Sequence, residues 1–158
     1  MYIMDDLFQT QFISEKIKVA YNRLGKDMES YFKSYVESHI EGKCRNEGYI
    51  RIGSSKVFHY SSGLLQGSDV YFTVIFEVQC CTPYEDMTLT CIVKNINKIG
   101  IRCIIQEDEN PMNVFISSEH NSQLEMDKYK EGDSVQVKVL GHRYELNDTF
   151  ISIIAEII

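Results

Sequence analysis

The stretch Glu131-Gly132-Asp133-Ser134-Val135-Gln136-Val137-Lys138-Val139 decides how the C-terminal half of this chain folds. Its Gly-Asp pair is typical of a turn, and the valines that follow occupy every second position. Because successive side chains of a strand point to opposite faces, this spacing places valine on one face and polar groups on the other. The stretch therefore predicts a turn that leads into a half-buried β-strand.

Four other segments of the C-terminal half share this β pattern. The predicted strands are Met87–Asn95, Ile99–Gln106, Asn113–Ser117, Ser134–Leu140 and Thr149–Ile157. The polar stretch 118–130 separates the third strand from the fourth and has room for one helical turn. A hairpin, a third strand, a short helical connection and a second hairpin, in that order, predict a five-stranded OB-fold β-barrel.

The N-terminal half combines strands with one helix, so the whole chain is predicted to be α+β. The segment Lys26–Glu41 has apolar residues at helical spacing, and Gly42 suits its C-cap. Strands are predicted at Leu7–Ile13, Gly48–Ile52, Lys56–Tyr60 and Asp69–Gln79. Pro83 marks the change of pattern. We therefore expect an N-terminal domain at 1–82, an antiparallel sheet with one long helix, and a barrel domain at 83–158.

The segment 61–68 is predicted to be a loop because Gly63 and Gly67 bracket it. Leu64 and Leu65 lie inside this loop, where apolar side chains are harder to explain than polar ones. They either fold back onto their own domain or are exposed for a partner, since exposed apolar surface usually marks an interaction site. The residues alone leave both interpretations open.

The charge of the chain limits how it can bind nucleic acid. The formal net charge is −7, with about −1 in residues 1–82 and about −6 in residues 83–158. Affinity for phosphates comes largely from Lys and Arg, so any contact with RNA must be local or modest. The start of the chain lacks the pattern of a signal peptide, and no run is long enough for a membrane span, so we expect an intracellular protein that does not contact membranes.

The five cysteines are predicted to be reduced structural thiols. They form no CxxC pair, and the four histidines add no ligand cluster, so neither a zinc site nor any other cofactor is expected. Cys80 and Cys81 are adjacent, which in a strand points them to opposite faces.

No arrangement of nucleophile and base, phosphate loop or spaced carboxylates indicates an enzyme. The acidic stretch Glu107-Asp108-Glu109 is consecutive, as in solvated loops, and His120 is expected to lie on the surface. A small basic set remains on the barrel. It consists of Lys94, Lys98 and Arg102 around the first hairpin, with His142 and Arg143 near the last. Phe115 is either a core residue or a ring on which a base could stack.

Several segments, in order, carry a resemblance to a known family. In the N-terminal half these are Met28-Glu29-Ser30-Tyr31-Phe32 through Glu41-Gly42-Lys43-Cys44, then Gly48-Tyr49-Ile50, then Gly63–Ser68 and Phe72–Phe76. In the barrel half they are Pro83, Val93–Gly100 and Val114–Ser117. Read together, the chain resembles the stalk subunit family of archaeal and eukaryotic RNA polymerases, which includes the seventh subunit of RNA polymerase II. The sequence of residues 141–148 looks more like that of family members encoded by large DNA viruses.

The resemblance implies a non-catalytic subunit of a DNA-directed RNA polymerase. Its N-terminal tip domain would dock on the polymerase core near the clamp through Gly63, Leu64, Leu65 and Gly67. A small helical partner subunit would pair along the tip-to-barrel face. The barrel would meet single-stranded nascent RNA, with Lys94, Lys98, Arg102, Phe115 and Arg143 as the expected contacts. Such a protein would work in the nucleus, or in the host cytoplasm and virion if it is viral.

Two other classes of protein remain as alternatives. One is a free-standing OB-fold RNA-binding factor, for example in translation, with an unrelated N-terminal extension. The other is an enzyme, which would show turnover by the isolated chain.

Overall fold

A computed structural model describes residues 7–25, 27–105, 110–119 and 126–158 of the chain. In the N-terminal half the strands are β1 (Phe8–Ala20), β2 (Cys44–Arg45), β3 (Gly48–Ile50), β4 (Lys56–Tyr60), β5 (Leu64–Gln66) and β6 (Asp69–Cys81). The helix α1 spans Met28–His39. In the C-terminal half the strands are β7 (Thr88–Ile96), β8 (Gly100–Ile104), β9 (Met112–Ser117), β10 (Ser134–Arg143) and β11 (Ile151–Ile157).

The N-terminal strands form one six-stranded antiparallel sheet around β6. Along one edge β6 pairs with β1 over its whole length, and along the other it pairs in turn with β5, β4 and β3. The apolar side chains of β6 alternate as predicted and are buried with Phe32 and Val36 of α1. An antiparallel sheet with one helix is therefore observed, and α1 covers one of its two faces.

Three predicted boundaries in this half were wrong. The first strand runs to Ala20 rather than ending at Ile13. The helix ends at His39 with Ile40 as its C-cap, so Gly42, at φ +77°, lies beyond the cap. The predicted first residue of the helix, Lys26, lies outside the described residues. The predicted loop at 61–68 contains the strand β5, because its three residues complete a hairpin with β6.

The C-terminal strands close into a barrel in the order β10-β11-β9-β8-β7. All neighbours are antiparallel except β9 and β11, which run parallel. This confirms the predicted five-stranded barrel and is consistent with an OB-fold. The predicted helical turn between the third and fourth strands is present as a 3₁₀ turn at Met126–Lys128.

The barrel core continues into the N-terminal half. Leu7, Phe8, Cys44, Tyr49 and Cys81 belong to the same buried cluster as the inward residues of the barrel. The backbone of β2 also bonds to the connection between β10 and β11. The Cys44 N–H donates to the Asp148 carbonyl over 2.8 Å, and the Asn147 N–H donates to the Cys44 carbonyl over 2.9 Å. The division at 82/83 falls between β6 and β7 and stays a prediction.

The pair β8–β9 packs tightly at Gly100. A Cβ added there would lie 2.2 Å from the Ile116 carbonyl oxygen and 2.9 Å from the Phe115 ring. The strand partner and the ring therefore leave no room for a side chain at this position. By contrast, a Cβ at Gly141, on β10 of the same barrel, would meet nothing within 4 Å.

We expect Gly100→Ala to lower the free energy of unfolding by about 1–3 kcal/mol, because backbone must move to admit the methyl group. Gly141→Ala is the matched control and should leave stability nearly unchanged. Urea unfolding of both variants measures this. Equal stability of the two would show that β8 and β9 do not approach as closely as described.

All five cysteines are buried free thiols, and Cys80 and Cys81 face different cores, as predicted. Burial raises the pKa of Cys44 to about 11 and that of Cys80 to about 11. The thiolate is the reactive form, so both burial and a raised pKa slow the reactions of these thiols.

Alkylation with iodoacetamide near neutral pH should therefore modify the folded protein slowly and all five cysteines rapidly once denaturant is added. For Cys44 and Cys80 the raised pKa alone lowers the thiolate fraction about a hundredfold. Mass spectrometry of the modified peptides reads out each site. Fast labelling of Cys44 in the folded protein would contradict the packing between the two halves.

Candidate nucleic-acid interface

The outer face of β8 and β9 brings a cation beside an aromatic ring. Ile101 and Cys103 point into the barrel, so Arg102 between them points out and is exposed. Arg102 lies opposite Phe115 of β9 on one side and opposite Asn95 of β7 on the other. Directly opposed residues of adjacent strands share a face, so these three side chains form one row.

Phe115 lies on the outside of the barrel rather than in its core. Its neighbours Val114 and Ile116 are fully buried, whereas Phe115 is only half-buried and its ring packs against Gly100. The structure therefore places Phe115 outside the barrel core, and its role as a ring on which a base stacks stays a prediction. On its other side β9 pairs with β11, which places the exposed Ile154 next to Phe115.

Lys94 and Lys98 lie near this row at the end of the first hairpin. Lys94 occupies the bulge where the pairing of β7 with β8 shifts between Val93 and Asn95, and Lys98 is exposed at the turn. The side chain of Asn97 fixes that turn by accepting hydrogen bonds from the N–H groups of Ile99 and Gly100. Within the described parts of the chain no ion pair involves Lys94, Lys98 or Arg102.

Arg143 is not brought into the same cluster. Arg143 lies on β10, opposite Ser152 of β11, and is two strands away from Phe115. Its guanidinium is 3.5 Å from the Glu145 carboxylate. Its neighbour His142 stacks against Tyr144 with ring centroids 6.0 Å apart. The sequence could not show that Glu145 partly neutralises this cation.

The predicted docking residues form a hairpin rather than a loop. Leu64 pairs with Tyr71 and Leu65 pairs with Val70, so the two leucines point to opposite faces of the sheet. Both are exposed, at 58% and 61%. Gly67 has φ +65° at the first turn position, where such hairpins favour glycine, and a Cβ at Gly63 would lie 2.4 Å from Val70. The two glycines are thus required by the hairpin itself.

The sequence did not reveal one exposed feature because the first strand was predicted too short. Phe12 of β1 and Phe58 of β4 lie with ring centroids 5.0 Å apart on the sheet face that α1 does not cover. Had the strand been extended, the alternation of Ile13, Ile17 and Val19 would have placed Phe12 on the opposite face.

The described residues contain no group of three or more His, Cys, Asp or Glu side chains that could hold a metal ion. Glu107, Asp108, Glu109 and His120 lie outside the described residues. Among the helices of the described chain, none has the length and apolar character needed to cross a membrane.

Comparison with known proteins gives one curated relative. The chain is 22% identical to a protein of Acanthamoeba polyphaga mimivirus that carries a provisional assignment as a DNA-directed RNA polymerase subunit. The similarity covers 96% of this chain and 81% of that protein. No protein family model matches the chain.

Among solved structures, an uncharacterized protein from Methanocaldococcus jannaschii matches 49% of this chain and 95% of its own, at 17% identity and a TM-score of 0.40. The viral relative, by contrast, extends over nearly the whole chain. It confirms the predicted resemblance to an RNA polymerase subunit of a large DNA virus.

Proposed function

We propose that this chain is a non-catalytic stalk subunit of a DNA-directed RNA polymerase, docking on the core near the clamp and contacting emerging RNA. Residues 1–82 would be the tip domain and residues 83–158 the RNA-binding barrel. The observation that supports the RNA contact is the row of Arg102 and Phe115 with the exposed Lys94 and Lys98 beside it, neither of which forms an ion pair with another described residue. The polymerase assignment rests on the similarity to the mimivirus protein.

The barrel surface fits weak binding of single strands. An aromatic ring accepts any base, while nearby Lys and Arg contact phosphates, so such sites read little sequence. The formal charge of −7 opposes long-range attraction of RNA. Tethering both molecules to one polymerase would raise the effective concentration and offset the weak intrinsic affinity.

Docking would use the β5–β6 hairpin, and its partners would be core subunits together with a small helical stalk subunit. Because Leu64 and Leu65 face opposite ways, they cannot enter one groove side by side. Insertion of the hairpin as a wedge, with a leucine on each side, fits this geometry. The protein would act inside cells, in the nucleus, or in the host cytoplasm and virion if it is viral.

Replacing both leucines, Leu64→Asp with Leu65→Asp, should abolish association with the polymerase while the isolated protein stays folded. Each single change should weaken association, because both sides of the wedge are in contact. Leu146→Asp, at a leucine of the barrel half that is also exposed, is the matched control. Affinity capture with mass spectrometry measures the yield of core subunits. Stoichiometric capture by the double variant would rule out the hairpin as the anchor.

Binding of single-stranded RNA should weaken with salt, with a log–log slope of about −2 for three phosphate contacts. In the double variant Lys98→Gln with Arg102→Gln the slope should fall to about −0.7. The double variant Lys43→Gln with Lys138→Gln makes the same change in net charge elsewhere and should keep the original slope. Fluorescence anisotropy over a salt series measures both.

If the two double variants give the same salt slope, the barrel face does not contact RNA and serves as a structural or protein-binding element. RNA binding without any capture of polymerase subunits would instead favour the free-standing RNA-binding factor.

A further inference from the structure

The turn that joins β7 to β8 is fixed by hydrogen bonds within itself and to the end of β9. It consists of Asn97-Lys98-Ile99-Gly100, and the Asn97 N–H donates to the Gly100 carbonyl over 3.0 Å. The Ile99 carbonyl accepts from the Ser118 N–H over 3.0 Å and from the Ser118 hydroxyl over 2.9 Å. These contacts hold the turn in one conformation without the help of a ligand.

The side-chain amide of Asn97 has a defined orientation in this turn. Its Oδ1 accepts hydrogen bonds from the Ile99 N–H over 2.9 Å and from the Gly100 N–H over 3.1 Å. An NH₂ group cannot accept from an N–H, so the atom that faces these two donors is the oxygen and the NH₂ points away from the turn backbone. Asn97 is exposed, and none of the described residues accepts a hydrogen bond from its NH₂. The turn therefore presents two oriented donors to the solvent.

The Phe115 ring lies beside this amide because both contact Gly100. The Gly100 N–H is bound by the Asn97 Oδ1, and a Cβ built on Gly100 would lie 2.9 Å from Cζ of Phe115. The ring thus reaches from β9 across to β8, with its tip over Gly100 and next to the turn. A base stacked on this ring would have one edge near the Asn97 NH₂, while Arg102 lies two residues further along β8.

A pair of fixed donors distinguishes the bases by their exocyclic groups. The keto oxygens of uracil (O4) and guanine (O6) accept hydrogen bonds, whereas the amino groups of cytosine (N4) and adenine (N6) donate them. A donor that meets another donor leaves both without a partner, which costs free energy when water is displaced. Stacking on a ring and contacts from Lys and Arg to phosphates are common to all bases and add no such preference.

We propose that Asn97 is a specificity-determining residue of the barrel face, whose NH₂ makes the site prefer bases with a keto oxygen over bases with an amino group. The inference rests on the proposed contact between the barrel and RNA. An asparagine that served only to build the turn would use its Oδ1 and not its NH₂. The two roles therefore reside in different atoms of one side chain and can be separated by substitution.

Asn97→Asp separates them, because it keeps an oxygen facing the two N–H groups and replaces the NH₂ by a second oxygen. Oligo-uridine and oligo-cytidine have rings of the same size, so their comparison isolates hydrogen bonding from stacking. The unmodified protein should bind oligo-uridine about threefold more tightly than oligo-cytidine, as one hydrogen bond implies. In Asn97→Asp this ratio should fall to about one or reverse, since a carboxylate accepts from the cytosine amino group. Fluorescence anisotropy measures both affinities, and urea unfolding should show unchanged stability.

Asn95→Asp is the matched control, because it adds the same negative charge at another exposed asparagine of the same hairpin. It should weaken the binding of both oligonucleotides by the same factor and leave their ratio unchanged. A ratio that is the same in Asn97→Asp as in the unmodified protein would overturn the proposal. A ratio that changes in Asn95→Asp and not in Asn97→Asp would assign the readout to Asn95 and would also overturn it.

Failure of this inference can be told apart from failure of the proposed function. If the unmodified protein binds both oligonucleotides equally, and Lys98→Gln with Arg102→Gln still lowers the salt slope, the RNA contact stands and the base preference falls. If neither oligonucleotide binds, the RNA contact and the inference fall together.

The position of the base can be tested directly with an oligo-cytidine that contains one 4-thiouridine, which crosslinks to adjacent residues on irradiation. Mass spectrometry of the digested complex should locate the crosslink at Phe115 or within Asn97-Lys98-Ile99-Gly100. Crosslinks confined to other parts of the chain would show that no base lies beside Asn97, and would overturn the proposal.

Discussion

The alternation of apolar residues along β6 is the constraint on which the N-terminal half depends. Four other strands pair directly with this one strand, so its register fixes theirs. One side of β6 is apolar and closed by α1, because burying those side chains is the main favourable term in folding. The other side cannot be covered by the same helix. Among the described residues, α1 therefore leaves a sheet face open, and Phe12 and Phe58 lie on it.

The far end of β6 links the sheet to the barrel. Cys81 and its neighbour Tyr49 join the barrel core, and β2 bonds to the connection between β10 and β11. In OB-folds that connection is one of the loops that commonly contact oligonucleotides. Here its backbone is engaged by Cys44, and the Tyr144 hydroxyl donates to the Asn46 carbonyl over 3.4 Å. The part of the barrel free to meet a strand is thus the β8–β9 face with its neighbouring hairpin.

The sequence predicted the elements whose patterns are local and missed those that depend on distant partners. The alternation of β6 and the five barrel strands were recognised within a few residues of their ends. The first strand was cut short because Glu15 interrupts the apolar alternation of Ile13, Ile17 and Val19. Its partner is Arg45, whose guanidinium lies 2.8 Å from the Glu15 carboxylate and which is thirty positions later in the chain. The strand β5 was missed because three residues between glycines are too short to show a period.

The candidate barrel site shows the same limit. In Asn-Val-Phe-Ile-Ser every central residue is apolar, so the strand itself does not reveal which way Phe115 points. In the structure Val114 and Ile116 fill the barrel, and the Phe115 ring packs outside it against Gly100. The sequence also does not show which cations have a carboxylate nearby. Arg143 has Glu145 beside it, whereas Lys94, Lys98 and Arg102 have no ion-pair partner in the described parts of the chain. A few unpaired cations on an acidic chain attract a polyanion only at short range. Their contribution is therefore to orient a strand that something else has already brought near.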